Sequence, residues 1–353
     1  MAGVGRASRE FDVVVIGGGV IGCAVAHELA RRGAKTVVVE ARRVGHGATQ
    51  ASAGVLAPFI EAPAEGPLQA LTVESLAMYD GFIATVSEEA SAPIEYRRCG
   101  TIEVAHDAGS VRRLKTLGEW ARSRGVDARW AEPGEINRLE PALASCCGGL
   151  IVPEHGYVRA AQLTDALEKA ARSHGAAIHD QRRVEHVSSA DDGVTVTTSD
   201  GNYRARFAVV AAGSWSGALA PETEVMPVRG QLLYVSWQGP AITRVLWSDS
   251  CYLVPWLDGT LLVGATVEDA GFDERVTAAG VQELLNAATG VLPGIADATF
   301  VEARVGLRPA TPTGLPIIRR STDHPSIIYA TGHFRNGILL APLTGRLVAD
   351  LIC

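Results

Sequence analysis

Apolar runs of four or five residues alternate along the chain with longer segments in which apolar residues recur at helical spacing. Residues 12–16 (DVVVI) form the first run, and their β-branched side chains predict a strand buried on both faces, as in a parallel sheet. A helix is predicted over 20–32, with Gly33 as its C-terminal cap. Residues 36–40 (TVVVE) repeat the strand pattern, so this part of the chain predicts a βαβ unit.

The middle of the chain has a different periodicity. Short segments between 228 and 267 alternate apolar and polar residues, which is typical of an antiparallel sheet. Residues 131–153 are broken up by Pro, Gly and a Cys pair. Further helices are predicted over 69–89, 111–124, 160–173, 281–289 and 337–351. We therefore predict an α/β fold (α+β in its two-domain arrangement), with a Rossmann-like domain and a second domain built on an antiparallel β-sheet.

Composition excludes several classes of partner. The chain has 353 residues, 47% of them hydrophobic and 20% charged, and a formal net charge of -7 without long blocks of like charge. This pattern argues against a nucleic-acid partner and a basic membrane patch. The first ten residues lack the apolar core of a signal peptide, and no segment has the length of a membrane span. We expect a cytoplasmic protein.

The cysteines do not suggest a metal site. The six cysteines form no C-x-x-C pair and share no zinc-type spacing with the nine histidines. The interpretation that we favour is a set of reduced thiols, with no bound metal.

A glycine motif follows the first predicted strand. Gly17, Gly19 and Gly22 have G-x-G-x-x-G spacing between a strand and a helix, which permits a tight turn, close approach of a pyrophosphate and close packing of helix on strand. Glu40 ends the second strand, where a carboxylate accepts hydrogen bonds from an adenosine ribose. The motif predicts a dinucleotide site and disfavours NADP, but it does not separate FAD from NAD.

Four later segments resemble those of a known family. They are residues 49–55 (TQASAGV), 211–216 (AAGSWS), 306–309 (GLRP) and 332–342 (GHFRNGILLAP). In this order they are similar to the D-amino-acid-oxidase-like FAD-dependent oxidoreductases, and especially to the glycine oxidases among them. The resemblance extends from about residue 12 to residue 352.

The resemblance implies that FAD is the cofactor. Family members with covalent flavin use a cysteine close to the segment equivalent to 306–309, and this chain has none there, so noncovalent FAD is expected. The implied cofactor-binding residues are Gly17, Gly19, Val20, Ile21, Gly22, Glu40, Ala41, Ala48, Thr49, Ser52, Ala53, Gly54, Val55, Val184, Ala212, Gly213, Trp215, His333, Phe334, Arg335, Asn336, Gly337, Ile338 and Leu339. The implied FAD-binding domain comprises 1–85, 150–225 and 305–353, and the substrate-binding domain comprises 86–149 and 226–304.

The resemblance also assigns a substrate pocket. Arg308 would hold the substrate carboxylate bidentately, Tyr252 would donate a phenolic hydrogen bond to it, and Arg335 would be a second pocket arginine. From the residues alone, either arginine could instead form a structural ion pair, and Tyr252 could be a core aromatic. Trp256 and Val267 depart from the family pattern, which puts the size of the substrate in doubt.

The implied activity is oxidative deamination of a small amino acid such as glycine, sarcosine or D-alanine. Hydride transfer to flavin N5 would give an imine, then glyoxylate or another 2-oxo acid, ammonia and, with oxygen, hydrogen peroxide. A homo-oligomer and a role in thiazole (thiamine) biosynthesis would accompany it. The alternatives are a D-amino-acid dehydrogenase or sarcosine-oxidase-like enzyme of the same fold, an NAD-linked dehydrogenase, and a noncatalytic flavin-binding subunit.

Overall fold

Three sheets organise the part of the chain that the computed structural model describes, residues 9–190 and 193–353. The residues before position 9, included above in the FAD-binding domain, lie outside the described ranges. No described helix combines the length and the apolar character needed to cross a membrane.

The first sheet has a parallel centre with antiparallel edges. Its parallel strands are β1 (Arg9–Ile16), β2 (Thr36–Val39), β9 (Ala177–His179), β12 (Gly201–Val210) and β19 (Ile327–Thr331). The antiparallel strands are β10 (Val184–Ala190), β11 (Gly193–Thr198) and β18 (Ile317–Arg320). The order is β10-β11-β12-β1-β2-β9, and β19 pairs with both β12 and β18. The carboxyl ends of β1 and β2 therefore meet at one edge of the sheet.

Helices cover one face of this sheet. They are α1 (Val20–Arg31), α3 (Pro67–Ala90), α6 (Ala160–Ser173) and α9 (Gly337–Ile352). Val13 and Val15 of β1 pack into the core beneath these helices, whereas Val14 and Ile16 pack into the core on the opposite face. The strand is therefore buried on both faces, as its sequence predicts.

The second sheet is largely antiparallel. Its order is β17-β13-β16-β15-β14-β5-β7-β6, and β14 and β5 are its one parallel pair among the described residues. The strands are β5 (Thr101–Ala105), β6 (Arg129–Ala131), β7 (Gly148–Val152), β13 (Met226–Ser236), β14 (Val245–Trp247), β15 (Tyr252–Pro255), β16 (Thr260–Gly264) and β17 (Thr299–Ala310). Around it lie the helices α4 (Ala108–Arg122), α5 (Pro133–Leu139) and α8 (Ala278–Val291).

A small third sheet links the two large ones. It consists of β3 (Val55–Leu56), β8 (Gly156–Val158) and β4 (Tyr96–Arg97), and the short helices α2 (Pro58–Glu61) and α7 (Ser216–Leu219) lie in the connecting segments. The domain limits expected at residues 150 and 305 fall inside β7 and β17, which are both strands of the second sheet. Each of these two limits therefore cuts through a strand of the second sheet and does not fall in a loop.

Candidate functional site

A cleft of about 1770 Å³, including its open mouth, runs from the carboxyl edge of the first sheet to the face of the second. The glycine motif and Glu40 lie at one end, and Tyr252 and Arg308 line the same cleft. We call these two parts the backbone end and the charged end. The cleft thus brings together residues that are far apart in the sequence.

The backbone end depends on the absence of side chains. Gly17 has a φ of +109°, and a Cβ there would lie 2.4 Å from the Ala211 carbonyl oxygen. A Cβ on Gly22 would lie 1.9 Å from the carbonyl oxygen of Gly17. Glycine at these positions therefore lets α1 start directly beneath the loop, so that amides of its first turn face the cleft.

Glu40 is held at the end of β2 by backbone amides. Its carboxylate accepts hydrogen bonds from Gly18 N at 2.6 Å and from Arg42 N at 2.7 Å. The side chain lines the cleft beside the glycine loop, which is where the sequence motif expects the acid that binds a ribose.

Residues 48–55 form the wall of the cleft beside this loop. The Val20 N–H at the start of α1 donates to the Thr49 hydroxyl oxygen at 3.1 Å, and Ala48–Ala51 is a turn of 3-10 helix. Gly54 has a φ of +70°, and a Cβ there would lie 1.7 Å from the Val158 carbonyl oxygen. The wall is therefore fixed by close contact between backbones.

A second helix N-terminus also faces the cleft. Gly337 and Ile338, the first residues of α9, line the cleft. The preceding loop is tied to the end of β17 by a hydrogen bond from Phe334 N to Pro309 O at 2.9 Å. Because α1 and α9 both begin at the cleft, two positive dipole ends and their free amides favour an anionic ligand between them.

His333 lies in this loop but is unsuited to proton transfer. Its Nε2 is 3.0 Å from the Thr344 hydroxyl, and burial lowers the pKa of the imidazole to about 3. The ring is therefore neutral at physiological pH, with a structural hydrogen bond.

The charged end is organised by Arg308. Its Nη1 donates to the carbonyl oxygens of Thr266 at 2.9 Å and Arg229 at 3.3 Å, and no described carboxylate forms an ion pair with it. Burial lowers the pKa of Arg308, an effect that the nearby Tyr252 opposes. A Cβ on Gly230 would lie 2.2 Å from the guanidinium nitrogens, so this glycine makes room for the side chain. The structural ion pair considered from the sequence is not formed among the described residues.

Tyr252 shares this end of the cleft. It begins β15, and its ring lies against Gly264, where a Cβ would come within 2.3 Å of the ring. Burial raises the pKa of Tyr252, so the phenol remains a hydrogen-bond donor at neutral pH. No hydrogen bond joins its hydroxyl to another described group.

Glu61 is a charged side chain of the cleft that sequence reasoning missed. It ends α2, its side chain is 10% exposed, and its Oε2 lies 3.1 Å from Nε of Arg335. Burial raises the pKa of Glu61, whereas the charges of Arg335 and Arg308 lower it. Arg335 therefore does form an ion pair, at the more exposed side of the charged end. A single acid in a loop rich in Pro and Ala gives no local sequence signal.

Most of the other predicted residues also line the cleft. Gly22, Asn336 and Leu339 do not: Gly22 supports the loop from behind, Asn336 directly precedes α9, and Leu339 belongs to the core under the helices. Five further lining residues belong to the segments that carry the resemblance: Ala51, Ala211, Ser214, Leu307 and Pro309. The lining residues that the sequence did not indicate, besides Glu61, are Ile16, Val39, Arg42, Gly47, Arg183, Ala218, Leu219, Ala330 and Thr331.

The two departures from the family pattern lie away from the cleft lining. Trp256 packs against Tyr234, with ring centroids 5.2 Å apart, and beneath the Arg159 guanidinium, 4.1 Å from the ring centroid. Val267 is 61% exposed. Neither residue is part of the lining, so neither sets the size of the pocket directly.

Comparison with known proteins agrees with this architecture. Residues 12–351 match the sequence model of the family described as FAD dependent oxidoreductase. The chain is 35% identical over 352 residues to glycine oxidase of Geobacillus kaustophilus, a match that covers 98% of this chain and 93% of that protein.

Two crystal structures are similar along nearly the whole chain. That of glycine oxidase from Geobacillus kaustophilus has a TM-score of 0.95 at 34% identity and covers 98% of this chain and 95% of its own. That of iminodiacetate oxidase from Chelativorans has a TM-score of 0.88 at 30% identity, and the match covers 96% of this chain and 95% of that chain. The predicted two-domain α/β fold is confirmed.

Proposed function

The chain belongs to the FAD dependent oxidoreductase family and is an FAD-dependent amino acid oxidase, and from this premise we propose that its substrates are glycine and other small amino acids. The reaction is oxidative deamination: one amino acid, one oxygen and one water give one 2-oxo acid, one ammonia and one hydrogen peroxide. For glycine the 2-oxo acid is glyoxylate. D-alanine is a further substrate expected, and so is sarcosine, which gives glyoxylate and releases methylamine in place of ammonia.

One observation carries the proposal. Arg308 presents a partly buried guanidinium that forms no ion pair with a described carboxylate, in the same cleft as the glycine loop. Burying an uncompensated charge is costly unless a ligand completes the arrangement. An amino acid carboxylate is such a ligand, because it matches the planar fork of the guanidinium.

The backbone end suits FAD. Its glycines would allow a pyrophosphate to approach α1, Glu40 would accept hydrogen bonds from the ribose, and the N-terminus of α9 would favour negative charge on the ring system. When bound, the flavin supplies the acceptor for the two electrons that leave the α-carbon. None of the six cysteines lines the cleft, so we propose that FAD is held noncovalently. Yellow colour that stays with acid-precipitated protein would contradict this.

The charged end positions the substrate. Arg308 and the Tyr252 hydroxyl hold the carboxylate, so that the α-carbon is fixed toward the backbone end of the cleft. His333 is neutral and bonded to Thr344, so no histidine of the cleft acts as a base in this proposal. The substrate reacts as its free amine, and orientation supplies most of the acceleration.

The experiment that tests the proposal is peroxide release by purified protein after its visible spectrum is recorded. Glycine, sarcosine, D-alanine and a bulky D-amino acid are supplied in parallel. Peroxide from the small substrates supports the proposal. Flavin absorbance with fast reduction of an artificial dye and slow oxygen consumption would favour a dehydrogenase. Flavin absorbance without turnover of any substrate would favour a noncatalytic subunit. Absence of flavin absorbance would favour an NAD-linked enzyme.

A further inference from the structure

A cluster of two histidines and a glutamate lies outside the cleft, on the helical face of the first sheet. His27 of α1 is 4% exposed, Glu89 near the end of α3 is 20% exposed, and His174 just after α6 is 32% exposed. One oxygen of Glu89 is 2.5 Å from Nε2 of His27, and the other is 3.1 Å from Nε2 of His174. Three separate helices therefore contribute one side chain each to the same point.

We propose that this cluster, His27, Glu89 and His174, is a binding site for a divalent transition-metal ion of the Zn²⁺ type. The three ligand atoms all lie within 4.8 Å of one another. Tetrahedral Zn²⁺ with bonds of about 2.0 to 2.1 Å keeps neighbouring ligand atoms about 3.3 Å apart. On binding, rotations of the side chains would have to bring the three ligand atoms to that spacing.

The donor set selects the kind of ion. Two imidazole nitrogens and one carboxylate oxygen suit Zn²⁺ and similar ions, whereas Mg²⁺ and Ca²⁺ prefer oxygen ligands alone. His174 is the most exposed of the three, so a water molecule can complete the coordination from the solvent side. Three protein ligands and one water are a common arrangement around zinc.

The position of the cluster suggests what the ion does. His27 belongs to the helix that starts at the glycine loop, and α1, α3 and α6 pack together in one core. None of the three side chains lines the cleft. A bound ion would therefore clamp the helical layer behind the backbone end without touching the substrate, and its measurable effect is on stability.

The site also explains why sequence spacing predicts no metal. His27, Glu89 and His174 are separated by long stretches of chain, and only the packing of the three helices brings them together. Spacing rules detect ligands on one loop or helix, so they do not detect a site of this kind.

The test is calorimetric titration of the untagged, FAD-loaded protein with Zn²⁺, together with its melting temperature at each zinc concentration. We expect one ion per chain and a melting temperature that rises with zinc. His174→Asn and Glu89→Gln should each weaken binding by at least about 10-fold, because each removes one of three ligands. Both changes keep a polar side chain no larger than the original at a partly exposed position, so the variants are expected to fold.

His106→Asn is the matched control, because His106 is an exposed histidine outside the cluster. It should bind zinc as the unmodified protein does. Absence of one-to-one binding, or binding that His174→Asn and Glu89→Gln leave unchanged, would overturn the proposal. The cluster would then be a hydrogen-bonded contact between helices. Because the readouts are binding and melting, failure of the proposed oxidase activity would not affect the result.

Discussion

The two ends of the cleft are built in different ways. At the backbone end, glycines, amides and helix N-termini form the surface, and an added Cβ on Gly17 or Gly22 would meet a carbonyl oxygen. At the charged end, the surface is made by the side chains of Arg308, Tyr252 and the Glu61–Arg335 pair. A surface made of backbone leaves no room for change, whereas one made of side chains can be adjusted one residue at a time. The backbone end should thus be needed for any activity, and the charged end should determine the substrate.

The largest effect is expected for Gly22→Ala. The new methyl would lie 1.9 Å from the Gly17 carbonyl oxygen, so α1 must move away from the loop that it supports. We expect protein without bound flavin and without peroxide release, measured as visible absorbance per chain and as activity.

Gly290→Ala is the matched control for this change. Gly290 lies in α8, and its Cβ would have no atom within 4 Å. Replacement by Ala should retain FAD and raise the free energy of unfolding by about 0.5–1 kcal/mol. Retention of flavin by Gly22→Ala would show that the backbone end tolerates side chains and would remove the contrast between the two ends.

The next effect is expected for Arg308→Ala. Loss of a charged hydrogen-bonded contact should raise KM for glycine and lower kcat/KM by about 100-fold, while the flavin spectrum stays normal. Steady-state peroxide release measures both constants. Arg206→Ala, which changes an arginine with 73% of its side chain exposed, serves as the control. An unchanged KM for the amino acid would contradict the role of Arg308 as carboxylate anchor.

Without the family resemblance, the residues predict the backbone end better than the charged end, for a physical reason. Glycine spacing and strand and helix periodicity are local, so the glycine loop and the helix over 160–173 could be predicted from short segments. Contacts between distant segments leave no such trace. The buried strand β7 owes its burial to pairing with β5 and β6. The sequence therefore predicts no strand there, only an irregular segment over residues 131–153. Glu61 owes its position to packing in the same way.

A smaller effect should sharpen the comparison at the charged end. Glu61 neutralises Arg335, so Glu61→Gln should free this guanidinium for a second carboxylate. On the proposed function, kcat/KM for iminodiacetate relative to glycine should rise by about 10-fold. Glu74→Gln, at an exposed ion pair with Arg346, is the control. A ratio equal to that of the unmodified protein would mean that the pair does not contribute to selectivity.

The smallest effect concerns two buried histidines: His333 in the loop before α9, and His155, which stacks on Phe59 of the helix that ends at Glu61. Burial is the main cause that lowers the pKa of each from 6.5 to about 3. At pH values between about 3 and 6.5, these histidines bind protons in the unfolded chain but not in the folded chain. Stability is therefore complete above about pH 6.5 and falls as the pH drops toward 3, by at most about 1.4 kcal/mol per pH unit for each histidine.

His155 is the better one to change, because its Nε2 is buried without a partner while Nδ1 bonds to Thr101 at 2.8 Å. The measurement is denaturant unfolding of His155→Gln at several pH values from about 5 to about 6.5. Its free energy of unfolding should fall less steeply with decreasing pH than that of the unmodified protein, by up to about 1.4 kcal/mol per pH unit. The exposed His106→Gln should leave the slope unchanged. If His155→Gln also left it unchanged, the acid sensitivity would not arise from this histidine, and His333 at the backbone end would be the remaining candidate of the two.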